Sequence, residues 1–387
     1  MPNPKEIASV SANGQSYDIW QSIEISRDVG MGVSLMRLAV AENVPTNGSA
    51  SARFGEPGPG WPALRLAPGM PAQGYLGGVL AISGYVTVRQ AFCNAAMHGV
   101  EITVTSHTQD VVSSTVDASP GQYIGYTLQQ IANAVAGKVG VNFAILASPA
   151  GADKPFSRVS EHFGETRFAF IERLCRMRNL HLSDDENGNL LAFRGGGSSG
   201  VAQLIEGQNI LSARIVMQDT DTVNQATVSG ENVAGSASGV WGDAARDPSA
   251  TAFNPNFSRY RPLSIQAEQP GDAQDMAMRA NLEIATDLST MVDLEVVVPG
   301  WFMDDGSLWI THVRDSLTVY SPMLVPNDSI TLSLKGVSHR QSDDEGTVTA
   351  LRLCLPNALG NDAQVTATSG NNSASAFPPK MGNAMPN

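Results

Sequence analysis

From residue 7 to about residue 105, apolar and polar positions alternate in short runs separated by turn residues. That pattern predicts strands. The runs 7–10 and 17–25 flank Asn13-Gly14, a dipeptide that tolerates the positive φ angles of a two-residue hairpin turn. Residues 33–40, 78–88 and 100–106 read as further strands. Residues 45–71, rich in Pro, Gly, Ser and Ala, read as a long surface excursion. The pattern describes an all-β unit, either barrel or sandwich.

The period changes after Thr127, a candidate helix N-cap. Leu128, Ile131, Ala132, Val135 and Val139 then recur at offsets of three and four, which places them in one helical stripe. A second helix is expected over 166–178, with Phe168, Ile171, Leu174 and Cys175 facing inward. Residues 181–182 and 190–193 read as a hairpin around the polar turn 184–189, with Asn187-Gly188 favouring a type I′ turn. The run Arg194-Gly-Gly-Gly-Ser-Ser199 is expected to be flexible and to mark a boundary.

Strands resume at 210–216 and 222–229, and the polar residues 230–259 suggest a long exposed loop. Ala273, Met276, Ala277, Ala280 and Ile284 share one helix face. Val292, Leu294, Val296 and Val298 alternate as in a half-buried strand. Residues 308–313, 330–334 and 347–355 continue a meander, with Asp344-Glu345-Gly346 as a turn and Leu351, Leu353 and Leu355 on one face. The expected organisation is a first β-unit over 5–107, a small α/β insert over 108–194, a second β-unit with one helix over 195–360, and a disordered tail over 361–387.

Composition agrees with a β-rich chain: 16% of the 387 residues are charged, and 37 are Gly and 22 Pro. The formal charge of −13 argues against affinity for nucleic acid, which rests on Lys and Arg. Cys93, Cys175 and Cys354 are scattered, lack CxxC spacing, and read as small buried hydrophobes. The N-terminus shows no basic segment followed by an apolar core, and no stretch approaches roughly 18 apolar residues. Neither a signal peptide nor membrane insertion is therefore expected, and folding is expected in a cytoplasm.

Candidate chemistry is sparse. His98, His107, His162, His181, His312 and His339 form no HExxH or HxH spacing, and each reads as a surface or core residue. Gly137-Lys138 lacks the glycine of a phosphate loop, Gly195–Gly197 contains no GxGxxG, and GxSxG is absent. The acidic clusters 184–186, 304–305 and 343–345 are assigned to hairpin turns, where Asp bonds its own backbone. Glu161 and Glu165, around His162, are assigned to the start of a helix. No catalytic, cofactor-binding or metal site is expected.

Two passages resemble a known family. The first is His107-Thr-Gln-Asp-Val-Val-Ser113, continuing through Ser119-Pro-Gly-Gln-Tyr-Ile-Gly-Tyr-Thr-Leu-Gln-Gln-Ile-Ala132 to Val139-Gly140-Val141. The second is LSLKGVSHRQSDDEGTVTALRLCL over 332–355, closed by Pro356. Together with residues 9–27, and in this order, they resemble the Mu-type tail protein family, the baseplate hub of contractile phage tails, over roughly residues 5–360.

The resemblance implies a mainly β fold with an α/β insert, two β-barrels per subunit, and assembly as a ring-shaped homotrimer of pseudo-sixfold symmetry. It implies a structural, non-enzymatic virion protein, present in the host cytoplasm during assembly, that joins a trimeric tail spike to the tail tube and other baseplate proteins. DNA would pass through the channel without specific binding, helped by an acidic wall. Two alternatives are weighed: the hub of a tailocin or type VI-like secretion spike, and a cell-wall-degrading or carbohydrate-binding tail component.

Overall fold

The computed structural model describes residues 6–12, 14–18, 20–43, 66–93, 97–117, 121–230, 248–325 and 328–360. Asn13, most of the excursion at 45–71, residues 231–247 of the polar stretch and the tail from 361 lie outside the described residues.

The first part of the chain forms β1 (Ala8–Ala12), β2 (Gln15–Tyr17), β3 (Ser22–Asp28), β4 (Leu35–Asn43), β5 (Pro71–Leu76), β6 (Val79–Cys93) and β7 (Met97–Ser106). Ala12 pairs with Gln15 in a tight hairpin, with Gly14 at φ +74. The expected strand over 17–25 is split, because the chain leaves β2 at Tyr17 and re-enters as β3 at Ser22. β5 was hidden in the sequence by its Pro, Gly and Ala.

α1 (Gln109–Ser113), β8 (Gln122–Tyr123), α2 (Leu128–Ala136), β9 (Phe143–Ile145), β10 (Val159–Ser160), α3 (Arg167–Arg176), β11 (His181–Asp184) and β12 (Leu190–Phe193) follow. Thr127 and Gln130 form a reciprocal capping box that starts α2. Thr166 caps α3, whose deepest aromatic is Phe170 rather than Phe168, which is half-buried. The hairpin β11–β12 closes through the five residues 185–189, not through a two-residue turn. The Asp185 carboxylate accepts from the N–H groups of Asn187 and Asn189, and Gly188 takes φ +80.

The last part holds β13 (Ser199–Ile205), β14 (Ser212–Met217), β15 (Gln225–Ser229), β16 (Ser249–Phe253), β17 (Pro262–Gln266), α4 (Ala273–Met291), β18 (Val292–Pro299), β19 (Ser316–Tyr320), β20 (Ser329–Ser342) and β21 (Gly346–Cys354). β16 replaces part of the expected loop over 230–259 and pairs with β15, whose other edge takes β17. Residues 309–312 are a 3-10 turn rather than a strand; Trp309 and Ile310, neighbours in sequence, are both buried, which an alternating strand face does not allow. The glycine run at 194–199 is held at both ends: Arg194 is buried, Gly195 N–H donates to Leu359 O, and Gly197 N–H to Arg314 O.

The fold is mainly β and its pairings are mostly antiparallel. One thirteen-stranded sheet runs β14-β18-β21-β20-β3-β4-β7-β6-β5-β1-β2, with β19 on β20 and β13 on β19. Among the described residues no sheet closes on itself. The sheet contains two sets of six strands with the same sequence-to-space order. The first set runs β1-β5-β6-β7-β4-β3; the second runs β13-β19-β20-β21-β18-β14. Four of the five pairings agree in sense. The fifth differs, since β1–β5 is antiparallel and β13–β19 parallel.

The two sets share a defect as well. β6 carries one extra residue against β7 between Val86 and Val88, and β20 one extra against β21 between Leu334 and Gly336. The sets join where β3, the end strand of the first, pairs antiparallel with residues 336–342 of β20, beyond the part that β19 covers.

Close approach fixes one glycine. A Cβ on Gly84 of β6 would lie 1.8 Å from the Thr105 carbonyl oxygen of β7, a backbone atom that cannot rotate away. Gly84→Ala is expected to lower unfolding free energy by about 2 kcal/mol, as overpacking does. A urea midpoint within error of the parent would show that β6 and β7 are looser there.

Candidate assembly scaffold

Buried polar junctions tie the parts of the chain together. The deepest one is built on Arg27 of β3. Its Nε donates to Ser34 Oγ at 3.0 Å, its remaining nitrogens donate to Ile310 O (3.2 Å) and Ala81 O (3.3 Å), and Asp184 lies 3.4 Å away. Asp184 in turn accepts from Ser34 N–H at 2.8 Å and Ser34 Oγ at 2.7 Å. These residues come from the first strand set, the insert and the second set, and all of the side chains are buried. The acidic cluster 184–186 is therefore not wholly a turn: Asp184 ends β11 and points inward, while Asp185 serves the turn.

A second junction ties α3 to α4. Arg178 donates to Asp275 Oδ1 at 2.9 Å and stacks 3.8 Å over the Phe156 ring; Lys154 bonds Asp272 at 2.7 Å and Asp275 at 2.9 Å. Burial pulls the Arg178 pKa down, with Asp275 opposing. Arg176 and Arg279 both reach Glu268 at 3.0 Å. Burial pushes the Glu268 carboxyl up, yet the Arg279 hydrogen bond and charge leave it below the ordinary value. Arg194 closes the seam by donating to the carbonyls of Asn179, Ala150 and Arg178.

The remaining candidate residues have structural partners. Glu165 takes two bonds from Arg173, at 2.8 and 2.7 Å, plus the His162 N–H, and Glu161 accepts from the Tyr123 hydroxyl. Cys175 and Cys354 are free and buried, and burial pushes their thiols up, that of Cys354 to about 12. The Cys93 side chain lies outside the described set. His339 is buried; its Nε2 accepts from Ile310 N–H, leaving the proton on Nδ1 for Thr349 Oγ1 at 2.8 Å.

One cluster escaped the reading of motif spacing. Ser307 Oγ lies 2.7 Å from His312 Nε2, and His312 Nδ1 lies 2.7 Å from Asp315 Oδ2. The order Ser, His, Asp invites a nucleophilic reading. The Asp305 carboxylate argues against it, since it takes the Ser307 N–H at 2.9 Å and stands 2.5 Å from Oγ. A carboxylate at that place opposes an alkoxide and occupies a hydrogen-bond donor that an oxyanion would need. The cluster pins the turn 303–306 to the 3-10 turn behind it. Asp305-Gly306-Ser307 followed by His and Asp at fixed offsets was the available signal. Among the described residues no group of His, Cys, Asp and Glu could hold a metal ion, and no helix is long and apolar enough to cross a membrane.

The open edges complete the scaffold. Among the described residues, β14 is paired only with β18, and β6 beyond residue 86 only with β7. Val88 (52% exposed), Phe92 (43%), Leu211 (58%) and Met217 (41%) are large apolar side chains set on or beside these two edges.

Comparison with known proteins agrees with this architecture. Residues 108–194 match the family model of the baseplate hub protein gp44-like, second domain. The baseplate hub protein gp44 of Escherichia phage Mu is 26% identical over 307 residues, which cover 79% of this chain and 77% of that protein. The 43 kDa tail protein of prophage MuSo2 from Shewanella oneidensis shares the fold with a TM-score of 0.75 at 22% identity, covering 92% of this chain and all of that one. The tail protein from Neisseria meningitidis MC58 gives 0.73 at 16% identity, covering 92% and 98%. The c3393 protein of E. coli, a type VI secretion component described as structurally similar to T4 tail proteins gp27 and gp5, gives 0.53 at 9% identity, covering 90% and 76%. Residues 108–194 thus match the second domain of gp44-like baseplate hub proteins, and the chain is similar to the Mu baseplate hub protein over most of its length.

Proposed function

We propose that this chain is the structural, non-enzymatic baseplate hub of a contractile phage tail. It works as a homotrimer that joins a trimeric spike to a sixfold tail tube and leaves a channel for DNA. One observation carries the reading: two six-stranded sets with the same strand order lie in one chain. Three such chains around an axis supply six similar units, which is what a threefold-to-sixfold adaptor needs. In this reading each set is one barrel-like domain, 5–107 and 195–360, with 108–194 between them.

Charge supports the channel. Residues 195–360 hold 20 acidic and 9 basic side chains, whereas 5–107 hold 7 and 6, and 108–194 hold 9 and 8. The acidity therefore belongs to one unit, and a wall built from that unit would repel a passing polyanion.

Light scattering of the purified chain is expected to give a mass near three times 40.8 kDa. A monomer at every concentration and salt would overturn the trimer. The likeness to c3393 favours a second setting for the same fold, the hub of a secretion spike. The cell-wall-degrading alternative is separated by turbidity: a structural hub leaves a suspension of purified cell walls unchanged.

A further inference from the structure

The duplicated strand order has a consequence for how one copy meets the next, and it rests on the hub reading above. Aligning the two sets at their shared bulge places Val86 on Leu334, and β7 on β21. The same alignment through the ladders places β4 on β18 and β3 on β14, with Ile25 falling on Ile215.

Within one chain, the junction between sets is made by β3 along residues 336–342 of β20. That stretch of β20 is available because β19 covers only its start, over 329–333, and Arg314 and Leu334 then exchange one last contact. β6 repeats the arrangement. β5 covers its start, over 79–85, and Met70 and Gly69 then bond Val86. Beyond this point the corresponding edge of β6, residues 88–93, has no strand against it among the described residues, and Thr87 to Phe92 are exposed on both faces. The counterpart of β3 in the other set is β14, and among the described residues its outer edge has no strand either. Of two equivalent junctions, the described residues thus form one.

We infer that β14 of one copy pairs antiparallel with residues 88–93 of β6 in the next copy, repeating the β3–β20 junction between subunits. The register follows from the intrachain pairing of Gly336 with Asp28 and Ser342 with Ser22. It sets Val88 opposite Gln218, Gln90 opposite Val216, and Phe92 opposite Arg214 of the neighbour. Phe92 then meets a guanidinium, and Val88 lies diagonally beside Val216 on the same face. The contact is head to tail, so it closes a ring only after a fixed number of copies.

The edge chemistry is compatible. The Gln218 N–H donates to Met291 O, so alternation along β14 turns the N–H groups of Ala213, Ile215 and Met217 outward. Val216 is then in a non-hydrogen-bonded position, where facing side chains come closest.

The test is disulfide trapping in the full chain with Cys93 changed to Ser. Gln90→Cys with Val216→Cys is expected to give, under mild oxidation and non-reducing electrophoresis, bands of two and three chains and nothing larger. Each single variant serves as a folding control and stays uncross-linked. Gln90→Cys with Ser212→Cys lies four residues out of register, roughly 13 Å along the strand, and is expected to cross-link at least tenfold less. A trimer by light scattering with no trapping in the in-register pair, or with equal trapping in both pairs, overturns this junction and leaves the hub reading standing. A chain that is monomeric and never trapped overturns both.

Discussion

Asp184→Ala is expected to lower the free energy of unfolding by about 3–5 kcal/mol, the cost of leaving a buried cation without its partner. Arg27 cannot relax toward water, because it is 3% exposed and its nitrogens are already committed to Ser34, Ile310 and Ala81. Ser34 also loses the acceptor of its hydroxyl, and its N–H keeps only the bond to Ser106 Oγ at 3.1 Å. Denaturant unfolding of Asp184→Ala, Arg27→Ala and the double variant measures the coupling. The double variant should cost less than the two singles together, since removing both charges removes the uncompensated one. Strict additivity, or a loss below about 1 kcal/mol for Asp184→Ala, would show that the three units are positioned by apolar packing alone.

Much of the fold was legible where local chemistry decides it. Thr127 and Gln130 announce a capped helix because the exposed N–H groups of its first turn need acceptors nearby. Val292 to Val298 announces a one-sided strand because only alternate residues reach the core. The reading failed where tertiary context decides. Residues 308–313 have the apolar content of a strand, but they coil so that Trp309 and Ile310 are both buried. β5, with Pro, Ala and Gly in its six residues, reads as loop until β1 and β6 flank it.

The duplication was invisible for a physical reason. Equivalent positions such as Arg37 and Glu295, or Glu24 and Arg214, need only agree in which face they present, not in chemistry. Asp184 shows the converse: its neighbours Asp185 and Glu186 made it look like turn chemistry, and only the fold brings Arg27 to it. The junction residues that matter for a scaffold are long-range pairs, and no local pattern encodes a long-range pair.

Mild acid is expected to unfold the protein through two histidines, and the sign follows from where their protons are lost. Burial holds His339 near pKa 3, with the Arg27 charge adding to it, and burial alone holds His181 near 4. In the unfolded chain both return to the ordinary value of 6.5. Between these limits the unfolded chain binds protons that the folded chain refuses, so stability rises with pH across the window and falls as pH drops below 6.5. At 1.36 kcal/mol per unit, the full loss is on the order of 5 kcal/mol for His339 and about 3 for His181.

The folded protein cannot easily escape this cost. A proton on His339 Nε2 would be directed at the Ile310 N–H, a donor, and would lie in the field of Arg27. His339→Gln removes the titrating group and is expected to flatten the acid limb between pH 6 and 4 by about half, despite a lower plateau at pH 7. Unfolding followed by circular dichroism from pH 7 to 4 reads both. An acid limb unchanged in His339→Gln would assign the loss to the carboxylates held by arginine, above all Glu165 and Glu268. Their depressed pKa values withdraw stability only as pH falls past the ordinary carboxylate range, later in the titration than the histidines.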